Sequence, residues 1–327
     1  MSSPMPSGFN GLFGGARNAT IVLAAFILVA GVAIGGIAYY LFAPRSTPTS
    51  TPPPAASSSR SADTQPAAPA CTDPPTIEPT SWELTAEGLA MTVDLSSTCA
   101  DPTVFSASET TITASMGSRD IAAGIFDLGR DPIPIQKGEI ASRTFVFPAG
   151  MYWRTPGLID SSAEVEMLPS GEPSSVQPSG TGSSTLSAVD SAPPAHGSEE
   201  SAAASALREL AASDRPEVRT YLENRWVPQI GSKRVGLVAE GITWTKVDIL
   251  RDHLQYRQRF DDVRLVWSAD WTSFSTDDFW VTVVADPFTT ARQANQWCDS
   301  HGIDAFNCFA KMISSTYGTE GTTVLRS

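Results

Sequence analysis

The chain has 327 residues, 22 of them basic and 35 acidic, for a net charge of −13, with 25 Pro, 24 Gly, 8 Trp, 4 Cys and 3 His. That length allows about two folded units. The acidity excludes a general nucleic-acid binder, because neutralising phosphates takes clustered Lys and Arg, and so few histidines leave little for a His-based metal site. The charge is uneven: residues 1–70 carry +2, 71–157 −6, 158–200 −7 and 201–327 −2.

Residues 1–18 precede an uncharged run, ATIVLAAFILVAGVAIGGIAYYLFA, from Ala19 to Ala43. As a helix it would extend about 37 Å, enough for a hydrocarbon core of about 30 Å. Tyr39 and Tyr40 stand near its far end, where amphipathic rings favour the headgroup layer, and Pro44 and Arg45 close it. A signal peptide has a shorter apolar region, about 7–15 residues, so the run is expected to stay as a signal-anchor in the plasma membrane. Arg17 and Arg45 leave the flanking charge nearly balanced. The cysteines set the orientation: an even number, falling as two local pairs, suits an oxidising exterior. Residues 1–18 are therefore expected in the cytoplasm and the bulk of the chain outside. Gly31 and Gly35 have the small-xxx-small spacing that lets two membrane helices approach, although Gly is common in such helices in any case.

Residues 44–70 are dominated by Pro, Ser, Thr and Ala, a composition that buries too little to offset chain entropy, and read as a disordered stalk. Residues 71–158 read as a β-sandwich, immunoglobulin-like in the broad sense. Leu89, Met91, Val93 and Leu95 alternate with polar or small neighbours, and Glu87-Gly88, Met116-Gly117 and Lys137-Gly138 mark turns. Cys71 and Cys99 would form a disulfide across its first strands. Tyr152-Trp-Arg-Thr155 reads either as part of the core or as an exposed binding segment. Residues 159–198, rich in Ser, Gly, Pro and Glu without Lys or Arg, read as a second, acidic disordered linker.

Residues 199–327 read as an α+β domain. An Ala-rich helix spans Glu199–Ala212, and Asp214-Arg-Pro-Glu217 has the spacing of a capping box opening a second helix. Lys233–Ala239 reads as a strand. A helix capped at Thr245 follows, with Val247, Leu250 and Leu254 on one face, then strands at Val263–Trp267 and Phe279–Ala285. Thr290 caps a last helix and Cys308–Ile313 closes as a strand. Cys298 and Cys308 would form a disulfide at that corner. The order is β-α-β-β-α-β, a four-stranded antiparallel sheet with two helices on one face.

The segment FWVTVVADPFTTARQAN, residues 279–295, with Ser300-His-Gly-Ile-Asp-Ala305, resembles the second repeat of a SPOR domain. The resemblance implies a ferredoxin-like fold that binds peptidoglycan glycan on its sheet face. The chain as a whole resembles single-pass envelope proteins of Gram-positive bacteria, for which no activity is implied.

Six of the Trp residues fall at 226, 244, 267, 271, 280 and 297. Aromatic faces suit the apolar C–H patches of sugars. Trp280 and Trp297 read as core. Trp267 and Trp271 bracket the polar loop WSADWTSFSTDDFW and, with Asp270 and Arg264, are the ligand-binding candidates, core packing being the alternative for either Trp. Asp261-Asp262 and Asp277-Asp278 read as turn formers rather than an acid–base pair. His253 and His301 read as helix-surface residues without metal partners. No G-x-S-x-G, Walker loop or HExxH occurs, so no cofactor, metal or catalytic group is expected. The expectation is a non-catalytic envelope scaffold or localisation factor binding peptidoglycan. The alternatives are an accessory or sensor subunit that binds a protein partner, and a wall-modifying enzyme.

Overall fold

A computed structural model describes residues 75–99, 102–173 and 184–326, all within one compact unit. The expected span at 19–43, its Gly31 and Gly35, the stalk and Cys71 lie outside the described residues. Among the described residues no helix is long and apolar enough to cross a membrane.

The first half runs β1 (Thr76–Leu84), β2 (Leu89–Ser96), β3 (Thr103–Phe105), β4 (Ala107–Met116), β5 (Arg119–Phe126), β6 (Ile133–Ile135), β7 (Ala141–Phe147), β8 (Glu164–Pro173), β9 (Thr185–Ser187) and β10 (Asp190–Ser191). One sheet has the order β1-β2-β7-β9 and the other β10-β5-β4-β8, with β3 and β6 paired separately. Alternation along β2 turns Leu89, Met91, Val93 and Leu95 inward, and all four are buried. Phe126 meets Phe145 and Phe147 edge-on at 5.0 and 5.2 Å, joining β5 to β7. Gly88 is required at the β1–β2 turn: its φ is +153°, and a Cβ there would lie 2.1 Å from the Phe147 carbonyl oxygen.

One sequence expectation is corrected in this half and one pair of alternatives is decided. The stretch 159–198 is, over its described residues 159–173 and 184–198, not a structureless tether. Its strand β8 pairs with β4 along Thr110–Ser115, and β9 and β10 join the two sheets. An edge strand needs only one apolar face. Val165 and Met167 supply it while Glu164 and Glu166 face outward, and the acidic composition hid that alternation. Of the two readings of Tyr152-Trp-Arg-Thr155, core packing is the one the structure bears out, because all four residues are buried.

The second half runs α1 (Glu199–Glu217), β11 (Arg225–Lys233), β12 (Val238–Ala239), β13 (Ile242–Thr243), α2 (Lys246–Arg259), β14 (Val263–Trp267), β15 (Trp280–Val284), α3 (Ala291–Ser300), β16 (Phe309–Ile313) and β17 (Thr323–Val324). The sheet order is β14-β15-β11-β16-β17, with every neighbouring pair antiparallel. Apart from the separate β12–β13 hairpin, the succession from β11 to β16 is β-α-β-β-α-β. Tyr256 of α2 and Phe260 at its C-cap, with Trp297 and Cys298 of α3, pack with Ile230, Val263 and Val284, which places both helices on one face of the sheet.

Helix α1 is continuous where two helices are expected from the sequence. Its cap is Ser198, whose hydroxyl accepts from the Ser201 N–H. Asp214 lies inside the helix and is buried, so the D-x-x-E spacing caps nothing. Pro216 falls in the last turn, where its missing N–H costs the helix one i→i−4 bond, and the chain opens directly after it into a π-helical turn at Val218–Leu222. The strand expected at Lys233–Ala239 is instead the end of β11 and the start of the β12–β13 hairpin. Ala203, Ala206, Leu207 and Leu210 of α1 pack in the same core as the sandwich residues Tyr152 and Trp153 and as Leu250, Leu254 and Leu265. The two halves thus share one core.

His253, expected on the surface, is 1% exposed between α2 and the sheet. Its Nε2 accepts from Arg257 Nε at 2.8 Å, which leaves Nδ1–H to donate to Thr282 Oγ1 at 3.0 Å. Burial, and then the charges of Arg257 and Arg264, hold it well below its ordinary pKa of 6.5. The folded state keeps it neutral while the unfolded chain protonates, so its contribution is complete above 6.5 and is lost as pH falls below that value. Asp252 works in the opposite sense. Burial pushes it up to about 6, so it takes up a proton in the folded state first and gains stability as pH falls from 6 toward 4. Comparing urea midpoints of the wild type and His253→Gln separates the two. The wild type's advantage is expected to shrink by about 1 kcal/mol per pH unit below 6.5; a gap that stays constant from pH 7.5 to 5 refutes the assignment.

Cys298 and Cys308 form a disulfide with Cα atoms 5.8 Å apart, tying the end of α3 to the start of β16. Cys99 is also disulfide-bonded. A loop of this size, 10 residues in sequence separation, contributes about 2–3 kcal/mol through the unfolded state. The Cys298→Ser/Cys308→Ser double variant is expected to lose that amount in chemical denaturation, at a denaturant slope that is equal or slightly higher because the released unfolded chain is less compact.

Candidate functional site

At one end of the sheet β14 finishes at Trp267 and β15 begins at Trp280, directly opposite each other. Their ring centroids are 4.3 Å apart at an interplanar angle of 45°. The connection between them is pinned at its base: Ser268 N–H donates to the Phe279 carbonyl at 3.0 Å, and Phe279 N–H to Ser268 Oγ at 2.9 Å. Helix α1 runs alongside β14 and presents Arg208, Ala211, Ala212 and Arg215 at positions i, i+3, i+4 and i+7, one face of a helix. Val235 and Lys246 close the rim. Together these residues enclose a cleft of about 590 Å³, within the roughly 300–1,000 Å³ usual for small-ligand sites. Its floor is apolar because the helix contributes alanines where it faces the tryptophans.

The cleft's charges are mostly matched. Asp270, in the single 3-10 turn Ser268–Asp270, pairs with Arg215 at 3.2 Å. Asp278 pairs with Arg234 at 3.1 Å, and Lys246 Nζ lies 3.6 Å from Glu200. Arg208 has no acidic partner among the described residues. Both carboxylates lining the cleft are therefore held by arginines, an arrangement suited to shaping a rim rather than exchanging protons.

The four sequence candidates separate. Trp267 and Asp270 line the cleft. Trp271 does not: it lies on the opposite face of the sheet, 4% exposed, packed with Val218, Leu222, Val266 and Val281. That leaves too little ring to stack on a sugar. Arg264 forms a bidentate pair with Glu217, 2.7 and 3.1 Å, and is committed to holding α1. Trp280, expected as core, forms a wall of the cleft. Arg208, Arg215 and Lys246 were missed, since helical periodicity alone does not say which strand a helix faces.

The helix-free face of the sheet is not open as the sequence suggested. Trp271, Phe274 and Phe279 fold back over it, so the loop that looked polar supplies an apolar cover. A smaller groove of about 210 Å³ remains, lined by Gln229, Ser232, Phe309 and Lys311 among others. Lys311 is buried there, and burial lowers its ammonium to about 8. Its Nζ donates to the Ser273 carbonyl at 2.6 Å and to Thr323 Oγ1 at 2.9 Å. It anchors the loop, with its donors already engaged. Among the described residues no group of three or more His, Cys, Asp or Glu side chains could hold a metal ion.

No protein-family model, curated protein or solved structure matches this chain.

Proposed function

We propose that this is a non-catalytic protein of a bacterial envelope, anchored at the plasma membrane by residues 19–43, whose Trp267–Trp280 cleft takes a saccharide of the wall. The carrying observation is the tryptophan pair on an apolar cleft of about 590 Å³ with an arginine-rich rim. The uncharged 25-residue run and the SPOR-like segment at 279–295 support the envelope setting. The saccharide site of this proposal is the cleft beside α1, not the covered sheet face.

The test is co-sedimentation of the full-length protein in detergent with purified peptidoglycan. Retention by the wild type and its loss in Trp267→Ala, with the circular dichroism spectrum unchanged, is the expected outcome. Equal retention of both proteins refutes the cleft, and no retention of either refutes wall binding.

One observation favours a protein partner as the second reading. The hairpin β12–β13 beside the cleft exposes Val238 and Ile242, and Val235 extends that apolar strip to the rim. Binding lost on Val238→Asp but kept on Trp267→Ala would favour it.

A further inference from the structure

We infer that the saccharide this cleft takes is an acidic one, its oxyanion held by Arg208; the inference rests on the saccharide reading above. Of the charged side chains lining the cleft, Arg215, Lys246, Asp270 and Asp278 each have a partner of opposite sign within 4 Å. Arg208 is the one left over among the described residues, so the rim carries an unspent positive charge. It is also exposed, free to meet a ligand without breaking a contact of the fold. Glu209, its neighbour in sequence, is bound to Arg154 by the pair of contacts at 2.7 and 2.8 Å and is engaged elsewhere.

The placement matters as much as the charge. Arg208 is one helical turn from Ala211 and Ala212, on the α1 face that confronts the tryptophans. The α1 residues one turn on that share this lining, Ala211 and Ala212, carry only methyl side chains. A sugar laid against Trp267 or Trp280 would present a ring substituent toward α1. A neutral hydroxyl there gains little from a solvated guanidinium. A carboxylate or phosphate accepts two parallel N–H bonds from its fork, which is a stronger, directional contact. An acidic ligand also matches the rim, where cations outnumber anions.

Isothermal titration of the full-length protein in detergent with three trisaccharides of equal length tests this. The probes are oligogalacturonate, its carboxyl-reduced neutral counterpart, and a phosphorylated trisaccharide that distinguishes phosphate from carboxylate. At low salt one or both acidic probes are expected to bind at least about tenfold tighter than the neutral one. Arg208→Gln is expected to weaken the acidic probes at least about tenfold more than the neutral one, removing the preference, and Trp267→Ala weakens all three. Added salt should narrow the preference, as a screened rim contact requires. Equal binding of acidic and neutral probes, with Arg208→Gln silent, overturns the acidic ligand and leaves the cleft as a saccharide site. If no trisaccharide binds, the saccharide reading itself falls, and this inference with it.

Discussion

Replacing Arg154 by alanine is expected to lower the unfolding free energy by about 3–5 kcal/mol. Arg154 is fully buried, and its guanidinium crosses from the sandwich to α1. Nε and Nη2 reach the two Glu209 oxygens at 2.8 and 2.7 Å, Nη2 also reaches Ser205 Oγ at 3.3 Å, and Nη1 donates to the Asp120 carbonyl. Removing it leaves the Glu209 carboxylate with only Ser205 at 2.9 Å and Arg119 at 3.7 Å, takes a donor from the Asp120 carbonyl, and leaves a void in the core that joins the two halves. Burial alone would raise the Glu209 carboxyl, but Arg154, with Ser205 and Arg119, holds it below its ordinary value. The pair's contribution is therefore complete above about 4.5 and is lost as pH falls through the lower, folded-state value. Urea denaturation of Arg154→Ala, and of Arg154→Met with Glu209→Leu, checks the argument. The double variant should recover much of the loss, because an apolar pair leaves no orphaned charge. A single-variant loss under 1 kcal/mol would show that the pair does not join the halves.

The same residue shows what the sequence could and could not tell. The aromatics Tyr152 and Trp153 read as core from residue type, but an arginine and a threonine beside them left a surface binding segment open as the alternative. Only the distant Glu209, 55 positions on, makes the arginine a core residue. Local signals fared better. The period-2 pattern of Leu89–Leu95 is strand β2, and the caps at Thr245 and Thr290 open helices α2 and α3, each with its hydroxyl accepting from the third residue on. These depend on neighbours within a turn or a pleat. The misreadings share the opposite property. Glu164–Met167 looked like linker because an edge strand draws its partner bonds from β4, more than 45 residues earlier. His253 looked exposed because its cover is strand β15. The cleft was half legible: Trp267 stood out by residue type, but its pairing with Trp280 is a matter of sheet register, and the helix opposite them is set by tertiary packing.

Asp214 gives the second large effect, and it bears on the cleft directly. Strand β14 is the edge of its sheet, and an unpaired edge invites pairing with another chain. Asp214 of α1 closes it by accepting the Leu265 N–H at 2.7 Å, while Arg257 and Arg264 approach the same carboxylate from α2 and β14. Burial pulls this carboxyl upward against the two arginines. Asp214→Ala leaves a buried backbone donor and Arg257 short of an acceptor, and is expected to cost about 3 kcal/mol. Amide exchange isolates the cause. Leu265 should lose protection in Asp214→Ala and keep it in Asp214→Asn, whose amide oxygen still accepts the N–H although the ion pairs are gone. Because Arg215 and Ala211 ride on the same helix, loosening α1 from β14 also moves the cleft's arginines away from Trp267, so saccharide affinity should fall with Leu265 protection across the two variants. Affinity that stays at the wild-type value while protection collapses would mean that the ligand is held without α1.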